Sequence, residues 1–436
     1  MSDDRTSPPP TSRIPLGRAY DTLDRIQIAL QTIGDVGWTS PAGAVRRGVD
    51  LVDRVEVLVA TDHPEHVREA MAPLAGDSQV YEHAAADLVT LEIERVPATV
   101  RCIPAERAGA ELLHATGSST HFAALQARAQ ERGHVLDRSG LRSQDSGTRI
   151  ASSEETIYAS LGLPFIPPEL RDADEALIAA ERGLLPRLVS AGDIRGDLHM
   201  HSLWSDGRDT IEAMVVSAIG LRYEYIAITD HSPSSAASRN LTIDGVARQA
   251  EEIANLGATY PQVAVLHGCE VDILEDGSLD FPDVLLERFD IVLASLHESH
   301  GQDPLTLLRR YERAMRHPLV SLITHPTNRL FPYRPGYDLD YDRLFQLAAE
   351  TGTILEIDGS PSHIDLDAPL AKRAVRAGVT LSIDSDCHVA ARLGRQMHLG
   401  VVTARRGWVE TGQVLNTRPL AQVRARIAAK RTGKSG

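Results

Sequence analysis

The second half of the chain repeats one pattern: a short apolar run, with a histidine, aspartate or glutamate at or near its end, and then a stretch long enough for a helix. Seven such runs follow residue 193, namely DLHMH, YIAIT, VAVLHG, IVLAS, SLITH, TILEI and TLSID. Runs of this kind that alternate with helical segments predict repeated βα units and a parallel barrel. Because the carboxyl ends of barrel strands meet on one face, we expect the polar residues at these ends to converge.

The polar residues at these strand ends are of the types that bind metal ions. They comprise six histidines and three carboxylates: His199, His201, Asp206, His231, Glu270, His297, His325, Asp386 and His388. A catalytic zinc ion uses about three protein ligands, so a set of this size suits two or three ions with Glu270 as a bridging carboxylate. Imidazole and carboxylate ligands without thiolate suit Zn²⁺, Mn²⁺ or Fe²⁺.

Five further residues near the strand ends have open or secondary assignments. Asp230 is expected to orient an imidazole rather than to bind an ion. Cys269 and Cys387 flank candidate ligands, but strand alternation turns their side chains toward the core. Arg329 is a predicted phosphate contact, with a surface ion pair as the alternative. His363, which follows the sixth run, is a candidate for assisting the leaving group.

Composition excludes several classes of protein. The chain has 436 residues and a net charge of −15, which disfavours a protein that relies on non-specific phosphate contacts. Three widely spaced cysteines can build neither a disulfide framework nor a zinc knuckle. The N-terminus lacks the apolar region of a signal peptide, and no apolar run reaches the roughly 18 residues of a membrane span. We therefore expect a cytoplasmic protein without a membrane partner; the sequence leaves its oligomeric state open.

The first half has a different pattern. Residues 1–14 are predicted to be a disordered tail, since they are polar and rich in proline. A helix is predicted over Ala19–Leu30, with strands in VDRVEVLVA and over Ala98–Ile103, so residues 15–105 are expected to form a small α/β domain. Residues 106–190 are predicted to be mostly helical and to lead into a barrel domain over residues 191–436.

The motifs of the second half resemble those of the PHP (polymerase and histidinol phosphatase) family. The match rests on HxHSxxSDG, AITDHS, GCEVDI, SLH, THPTNR and DSDCH, and it covers roughly residues 193–415. The resemblance implies a distorted (β/α)7 barrel and phosphoester hydrolysis at two or three metal ions.

The same resemblance divides the ligands into three groups. One ion is held by His199, His201, Glu270 and Asp386; a second by Glu270, His297 and His325; a third by Asp206, His231 and His388. The aspartate at position 206 replaces a histidine common in phosphatase members, and it is similar to the form fused to bacterial DNA polymerases.

The first half resembles the nucleotidyltransferase-like palm and the thumb of a bacterial family-X DNA polymerase, through RIPLGRAYDTL, AGAVRRG, VEVLVATD, TGSSTH and LGLPFIPPELR. That family needs three metal-binding aspartates, and Arg54, Glu56 and Thr99 stand in their places. Asp53 cannot substitute, because a one-residue slip turns its side chain to the opposite face. Without these carboxylates, two-metal nucleotidyl transfer is expected to be lost.

Two other features also depart from the polymerase pattern. Ala44 replaces the serine of the triphosphate-binding GS motif, although Arg46 and Arg47 remain. Only about 14 residues precede the palm-like region, so we expect the family's amino-terminal domains to be missing. The palm-like half is thus predicted to be either a scaffold for the barrel or a DNA-docking remnant.

Three functions remain open on the sequence. The resemblance favours a phosphoesterase acting on nucleic-acid 3′ ends, as a 3′–5′ exonuclease or a 3′-phosphatase. The alternatives are a histidinol-phosphatase-like enzyme acting on a small phosphomonoester, and a non-catalytic DNA-binding scaffold. A basic C-terminal segment is either a frayed helix or a DNA contact; its cations are Arg418, Arg424, Arg426, Lys430, Arg431 and Lys434.

Overall fold

A computed structural model of the chain describes residues 13–75, 81–82, 87–297, 301–331 and 333–433. Contacts divide the chain into two compact units, residues 1–185 and 186–436. The predicted tail falls largely on residues 1–12, which lie outside the described residues, as does Lys434. Among the described residues, no helix is long and apolar enough to span a membrane.

The first unit combines short strands with helices. Its strands are β1 (Ile14–Pro15), β2 (Trp38–Ala42), β3 (Leu51–Val52), β4 (Val55–Ala60), β5 (Tyr81–Glu82), β6 (Leu88–Ile93), β7 (Val96–Ile103), β8 (His134–Asp137), β9 (Gly140–Ser143) and β10 (Arg149–Ala151). Its helices are α1 (Leu16–Leu30), α2 (Gly43–Arg46), α3 (Pro64–Ala75), α4 (Ala108–Thr116), α5 (Ser119–Glu131), α6 (Glu154–Ser160) and α7 (Glu175–Glu181).

A five-stranded sheet of order β2-β4-β7-β6-β5 forms the α/β part of this unit. Strands β4 and β7 pair in parallel, whereas the other neighbours are antiparallel. Helix α1 begins three residues earlier than predicted and buries Leu23, Ile26 and Leu30 at helical spacing. The predicted helix and both predicted strands are therefore present in this part of the chain.

The prediction that residues 106–190 are mostly helical was incomplete, because β8, β9 and β10 form a three-stranded antiparallel sheet there. Each strand has only three or four residues and buries few apolar side chains, so the period-two signal is weak. The Asp137 carboxylate accepts a hydrogen bond from the Ser139 amide at 2.7 Å, and this bond stabilises the turn between β8 and β9.

The second unit alternates strands with helices. Its strands are β11 (Gly196–Asp197), β12 (Tyr225–Ile228), β13 (Ala264–Asp272), β14 (Ile291–Ser295), β15 (Leu322–Ile323), β16 (Ile354–Asp358) and β17 (Leu381–Asp384). Its helices are α8 (Ile211–Gly220), α9 (Ile243–Thr259), α10 (Asp283–Leu286), α11 (Pro304–Arg316), α12 (Tyr341–Thr351), α13 (Ala368–Arg376), α14 (Leu393–Arg406) and α15 (Leu420–Arg431).

In the described part of the chain, the strands of the second unit form one parallel sheet in sequence order, from β11 to β17. A parallel bridge between Met200 and Cys387 brings the two ends of the sheet together, and the His201 amide donates to the Cys387 carbonyl at 2.9 Å. The fold is thus the predicted distorted seven-stranded barrel. Cys269 and Cys387 are fully buried in its core, as expected. The strands vary from two to nine residues rather than the four to six expected.

The basic C-terminal segment is docked rather than frayed. The Lys430 ammonium is 7% exposed and donates to the carbonyls of Met315 at 2.8 Å and Thr351 at 3.1 Å. These carbonyls lie in the last turns of α11 and α12, where backbone acceptors have no partner within the helix. Arg431 donates in the same way to the Phe289 carbonyl at 2.7 Å. The frayed-helix alternative was therefore wrong, and these cations are engaged by the barrel itself.

Asn416 joins the first and last strands where their own pairing is sparse. Its side-chain amide nitrogen donates to the Gly196 carbonyl at 2.9 Å, and its side-chain oxygen accepts from the Ile383 amide at 3.0 Å. Asn416 is fully buried, so water cannot replace either bond. A single side chain thus supplies part of the hydrogen bonding that closes the barrel.

Replacing Asn416 with Ala should destabilise the second unit, because three buried backbone groups, the Gly196 carbonyl and the Ile383 amide and carbonyl, lose a hydrogen-bond partner. The free energy of unfolding is expected to fall by about 1–3 kcal/mol for each backbone group left without a hydrogen bond. The measurement is the midpoint of urea unfolding, which should be lower in the variant. Asn255 lies exposed on α9, and Asn255→Ala should change stability by less than about 0.5 kcal/mol. Equal midpoints for the two variants would contradict the closing role of Asn416.

Candidate metal centre

The carboxyl ends of the barrel strands gather the predicted ligands in one place. His199 and His201 follow β11, His231 follows β12, and Glu270 lies within β13. The remaining members follow later strands: His297 after β14, His325 after β15, and Asp386 and His388 after β17. Asp206 belongs to the loop after His201. The structure therefore brings all nine predicted side chains together.

Glu270 is the central residue of this cluster. Its Oε2 atom lies 3.4 Å from His199 Nε2, 3.5 Å from His201 Nε2 and 3.0 Å from His231 Nδ1. Its Oε1 atom lies 3.5 Å from His297 Nε2 and 3.0 Å from His325 Nε2. The two oxygens thus face different imidazoles, which is the arrangement that a bridging carboxylate requires.

Asp386 and Asp206 complete the cluster on either side of His201. Asp386 Oδ1 lies 3.1 Å from His201 Nε2 and 3.6 Å from His199 Nε2. Asp206 Oδ1 lies 3.2 Å from His388 Nε2 and 3.5 Å from His231 Nε2. His231 therefore lies between Glu270 and Asp206, with one ring nitrogen toward each.

The chemistry of this donor set fits metal ions better than a hydrogen-bond network. Glu270 Oε2 is fully buried and has no hydrogen-bond partner in the described part of the chain, although three imidazole nitrogens lie within 3.5 Å of it. His231 Nδ1 is likewise buried without a hydrogen bond among the described residues. Buried polar atoms left unpaired are costly, so such a cluster is expected to bind a cation.

Burial and neighbouring charges shift the pKa values of the carboxylates and imidazoles in the cluster. Burial by itself would raise the pKa of Glu270. The positive charge of His199 and His297 outweighs burial and holds that pKa well below its ordinary value. Burial likewise disfavours charge on His297, but Glu270 and Asp272 outweigh it and raise the pKa of that imidazole to about 10. Burial, reinforced by neighbouring His231 and His388, lowers the pKa of His201 to about 3. Metal binding must displace the protons that remain on these rings.

Carboxylates beneath the cluster fix the orientation of the rings, and the sequence did not single them out. Glu356, in β16, lies 2.7 Å from His199 Nδ1 and accepts a hydrogen bond from the His325 amide at 2.7 Å. Asp272, two residues after Glu270, contacts His297 Nδ1. A carboxylate on the second ring nitrogen is the usual support of a metal-binding histidine. Strand alternation could have indicated Asp272, because residues two apart in a strand share a face and Asp272 therefore lies on the same face as Glu270.

Asp230 was expected to orient an imidazole, but its hydrogen bonds go to a loop and to Gln249 instead. Its carboxylate accepts hydrogen bonds from the Ser202 amide at 2.7 Å, the Ser205 hydroxyl at 2.5 Å and the Gln249 amide group at 2.6 Å. These bonds fix the loop that carries Asp206. His325 and Asp386 adopt positive φ angles of 24° and 48°. Backbone strain of this kind is concentrated at functional sites.

A cavity of about 210 Å³ opens over the cluster. Its lining includes His363 together with Glu270, His325 and Asp386, so the structure places the predicted His363 at the site. Burial and the neighbouring His325 lower the pKa of His363 to about 3, so its imidazole is neutral at neutral pH. A neutral imidazole of this kind is a poor proton donor to a leaving oxygen.

Arg329 does not line the cavity in the described structure. Its Nε atom donates to the His363 carbonyl at 2.9 Å, and its Nη2 atom donates to the Ile364 carbonyl. The side chain is 9% exposed and lies over the Phe331 ring at 4.5 Å. Its Nη1 atom lies 3.5 Å from Asp367 Oδ2, so the ion-pair alternative is present, although the pair is largely buried. The guanidinium also fixes the segment that brings His363 to the cavity.

The first unit juxtaposes the residues predicted to replace the polymerase aspartates. Glu56 and Thr99 are direct partners in the parallel β4–β7 pair, and Arg54 precedes Glu56 by two residues. Gly43 has a φ of 61°, and a Cβ atom there would lie 1.8 Å from Glu56 Oε2, so the carboxylate packs against bare backbone. A cavity of about 500 Å³ lies over this strand pair and is also lined by Arg101.

The arginines of the altered GS motif are engaged within the first unit. Arg46 forms an ion pair with Glu154 at 2.7 Å, and the buried Arg171 shares that carboxylate. Arg47 lies 2.9 Å from Asp172. Both arginines of the altered GS motif thus form ion pairs within the first unit.

Comparison with known proteins agrees with this architecture. The DNA polymerase beta thumb family matches residues 111–172, and the PHP domain family matches residues 197–365. DNA polymerase/3′-5′ exonuclease PolX of Bacillus subtilis (strain 168) is 37% identical over 422 residues, which cover 95% of this chain and 72% of that protein. The chain belongs to the PolX family.

Shorter relatives match less than half of this PolX family member. A probable phosphatase of Syntrophotalea carbinolica is 31% identical over 204 residues, 44% of this chain and 80% of that protein. A probable phosphatase of Thermoanaerobacter sp. (strain X514) is 30% identical over 213 residues, 46% of this chain and 81% of that protein. With the PHP match and the clustered ligands, these relatives identify a metal-dependent phosphoesterase that uses divalent ions.

Replacing Glu270 with Gln should remove bound metal while keeping the side chain's size and its hydrogen bond from Thr324, which is 2.8 Å long. Because the bridging charge is lost, we expect lower metal content by elemental analysis and phosphoesterase activity reduced by roughly 100-fold or more. The control is His317→Ala, which alters a partly exposed histidine paired with Asp283 outside the cluster. Full metal content in Glu270→Gln would refute the bridging role.

Proposed function

We propose that the nine clustered side chains bind two or three divalent ions, with Mn²⁺, Zn²⁺ or Fe²⁺ as candidates. The first group is His199, His201, Glu270 and Asp386; the second is Glu270, His297 and His325; the third is Asp206, His231 and His388. The unpaired, buried Glu270 Oε2 atom among three imidazoles is the observation that carries this proposal. The position of His231 between Glu270 and Asp206 supports a shared, continuous site.

When bound, divalent ions at such a site lower the pKa of water and neutralise phosphate oxygens. The protein's own residues prepare the site for that chemistry. Glu356 and Asp272 hold the rings of His199 and His297 in one orientation. Asp230 fixes the loop of Asp206, and Arg329 fixes the segment of His363. His363 is proposed to contact the substrate as a neutral group rather than to donate a proton.

The substrate that we propose is a nucleic-acid 3′ end. The relative from Bacillus subtilis carries 3′-5′ exonuclease in its name and matches almost the whole chain. The aspartate at position 206 lies within the cluster and resembles the polymerase-fused form of the family. Hydrolysis of a terminal phosphodiester and removal of a 3′-phosphate both require the same phosphoryl chemistry, so the site supports a 3′–5′ exonuclease or a 3′-phosphatase.

A second candidate is a phosphatase acting on a small phosphomonoester, as in histidinol phosphatases. Two observations favour it: the probable phosphatases match only 44% and 46% of the chain, and the cavity over the cluster is only about 210 Å³. The third candidate, a non-catalytic DNA-binding scaffold, is disfavoured. Nine ligands that remain matched in position and chemistry have no structural use without metal.

The two enzymatic candidates can be separated with Mn²⁺-loaded protein and three substrates: 5′-labelled single-stranded DNA, the same strand with a 3′-phosphate, and histidinol phosphate. We expect a ladder of shortened strands or release of the 3′-phosphate. Phosphate released only from histidinol phosphate would eliminate the nucleic-acid proposal. The variant His199→Ala with His201→Ala should lose each activity, whereas His317→Ala should retain it.

For the first unit, we propose a palm-like region over residues 15–105 and a thumb-like region over residues 106–190 that no longer transfer nucleotides. Arg54, two residues before Glu56, repels Mg²⁺, and Thr99, which pairs with Glu56, supplies no carboxylate. Both changes disfavour the binding of two Mg²⁺ ions at this strand pair. Although Arg54 and Arg101 favour its charged form, burial dominates and raises the pKa of Glu56, so even the remaining carboxylate is a weaker ligand. The barrel is then the catalytic part of the chain.

Template-dependent extension of a primer on a gapped duplex should therefore be undetectable with Mg²⁺ or Mn²⁺. The measurement is incorporation of labelled nucleotide above a protein-free control, with the Glu270→Gln variant used to prevent degradation of the product. Extension that disappears in a further Glu56→Gln substitution would show that this strand pair is an active polymerase site.

A further inference from the structure

A second group of side chains of metal-binding types lies on the surface of the first unit and shares no residue with the barrel cluster. Asp35 belongs to the connection between α1 and β2, His63 precedes α3, and His66 lies in the first turn of α3. One ligand atom from each lies within 4.8 Å of the others. We name these three residues the Asp35 cluster. Neither the polymerase-like features nor the phosphoesterase site uses it.

The geometry of the Asp35 cluster is close to that of a transition-metal site. Asp35 Oδ2 lies 2.9 Å from His66 Nδ1 and 3.9 Å from His63 Nε2. The ligand atoms of a tetrahedral zinc ion, bound at about 2.0–2.2 Å, lie roughly 3.3–3.6 Å apart. The two imidazole rings are stacked, with centroids 5.3 Å apart and an interplanar angle of 22°. Small adjustments of exposed side chains would bring all three atoms to ligand distances.

Local backbone bonds fix the two histidines in this arrangement. The His63 amide donates to the Thr61 hydroxyl at 3.0 Å, and the His66 amide donates to the His63 carbonyl at 3.2 Å. The Glu65 carboxylate lies 3.1 Å from His63 Nδ1, on the ring nitrogen that does not face Asp35. A carboxylate on the far nitrogen is the support that metal-binding imidazoles commonly have.

We propose that the Asp35 cluster binds one divalent transition-metal ion, of the zinc, cobalt or nickel type, through two imidazoles and one carboxylate. The carboxylates of Glu65 and Glu69 lie near His66 and favour positive charge there. The cluster is exposed, so water completes the coordination and the ion exchanges with solvent. Bound metal ties the α1–β2 connection to the start of α3, which makes this site structural rather than catalytic.

The test compares zinc stoichiometry in the metal-stripped full chain, titrated at pH 8 against a chromophoric chelator. The variant His63→Ala with His66→Ala should bind one ion fewer than the wild type and keep its phosphoesterase activity. Glu69→Ala removes a nearby exposed charge but no ligand, so it should match the wild-type stoichiometry. The barrel variant His199→Ala with His201→Ala should retain the surface ion.

A conservative variant guards against misfolding. Asp35→Asn keeps the shape of the side chain but removes its charge, and it should weaken the surface site by at least about tenfold. Far-UV circular dichroism and the retained activity establish that each variant is folded. If the double histidine variant binds as many zinc ions as the wild type, with equal affinities, the Asp35 cluster is a set of hydrogen-bonded ion pairs and the proposal is overturned.

Discussion

A fully buried carboxylate surrounded by imidazoles is the constraint on which the second unit depends. In the described part of the chain, the two oxygens of Glu270 face five histidine rings within 3.5 Å. A buried charge is tolerated only when it is paired or bound to metal. Strand β13 delivers Glu270, and the strands around it deliver the rings. The barrel therefore holds several histidine rings around one carboxylate.

Much of this arrangement could be predicted because the strand ends carry the chemistry. A histidine or carboxylate near each apolar run was visible in the sequence, and the topology of a parallel barrel then required convergence. The supporting carboxylates were harder to find. Glu356 and Asp272 lie within strands among apolar residues, and nothing in the sequence tells which ring each one contacts. Arg329 illustrates the opposite case: it follows a candidate ligand, yet its guanidinium is turned to backbone carbonyls.

The first unit could be predicted less completely. Its longer elements, such as α1 and β4, have clear periodicity, but the short strands β8, β9 and β10 are stabilised by pairing that leaves little trace in three or four residues. The register between Glu56 and Thr99 was inferred from resemblance and agrees with the strand pairing. What no pattern revealed is that Arg46 is committed to Glu154. Internal ion pairs of this kind depend on side chains distant in sequence.

The bond between Asn416 and Gly196 joins residues separated by 220 positions. Such a contact cannot form during synthesis until nearly the whole barrel sequence has left the ribosome. The first unit spans residues 1–185 and leaves the ribosome earlier. Closure across so many residues also raises contact order, which slows folding. The nascent barrel therefore passes through an interval in which its edge strands are unpaired.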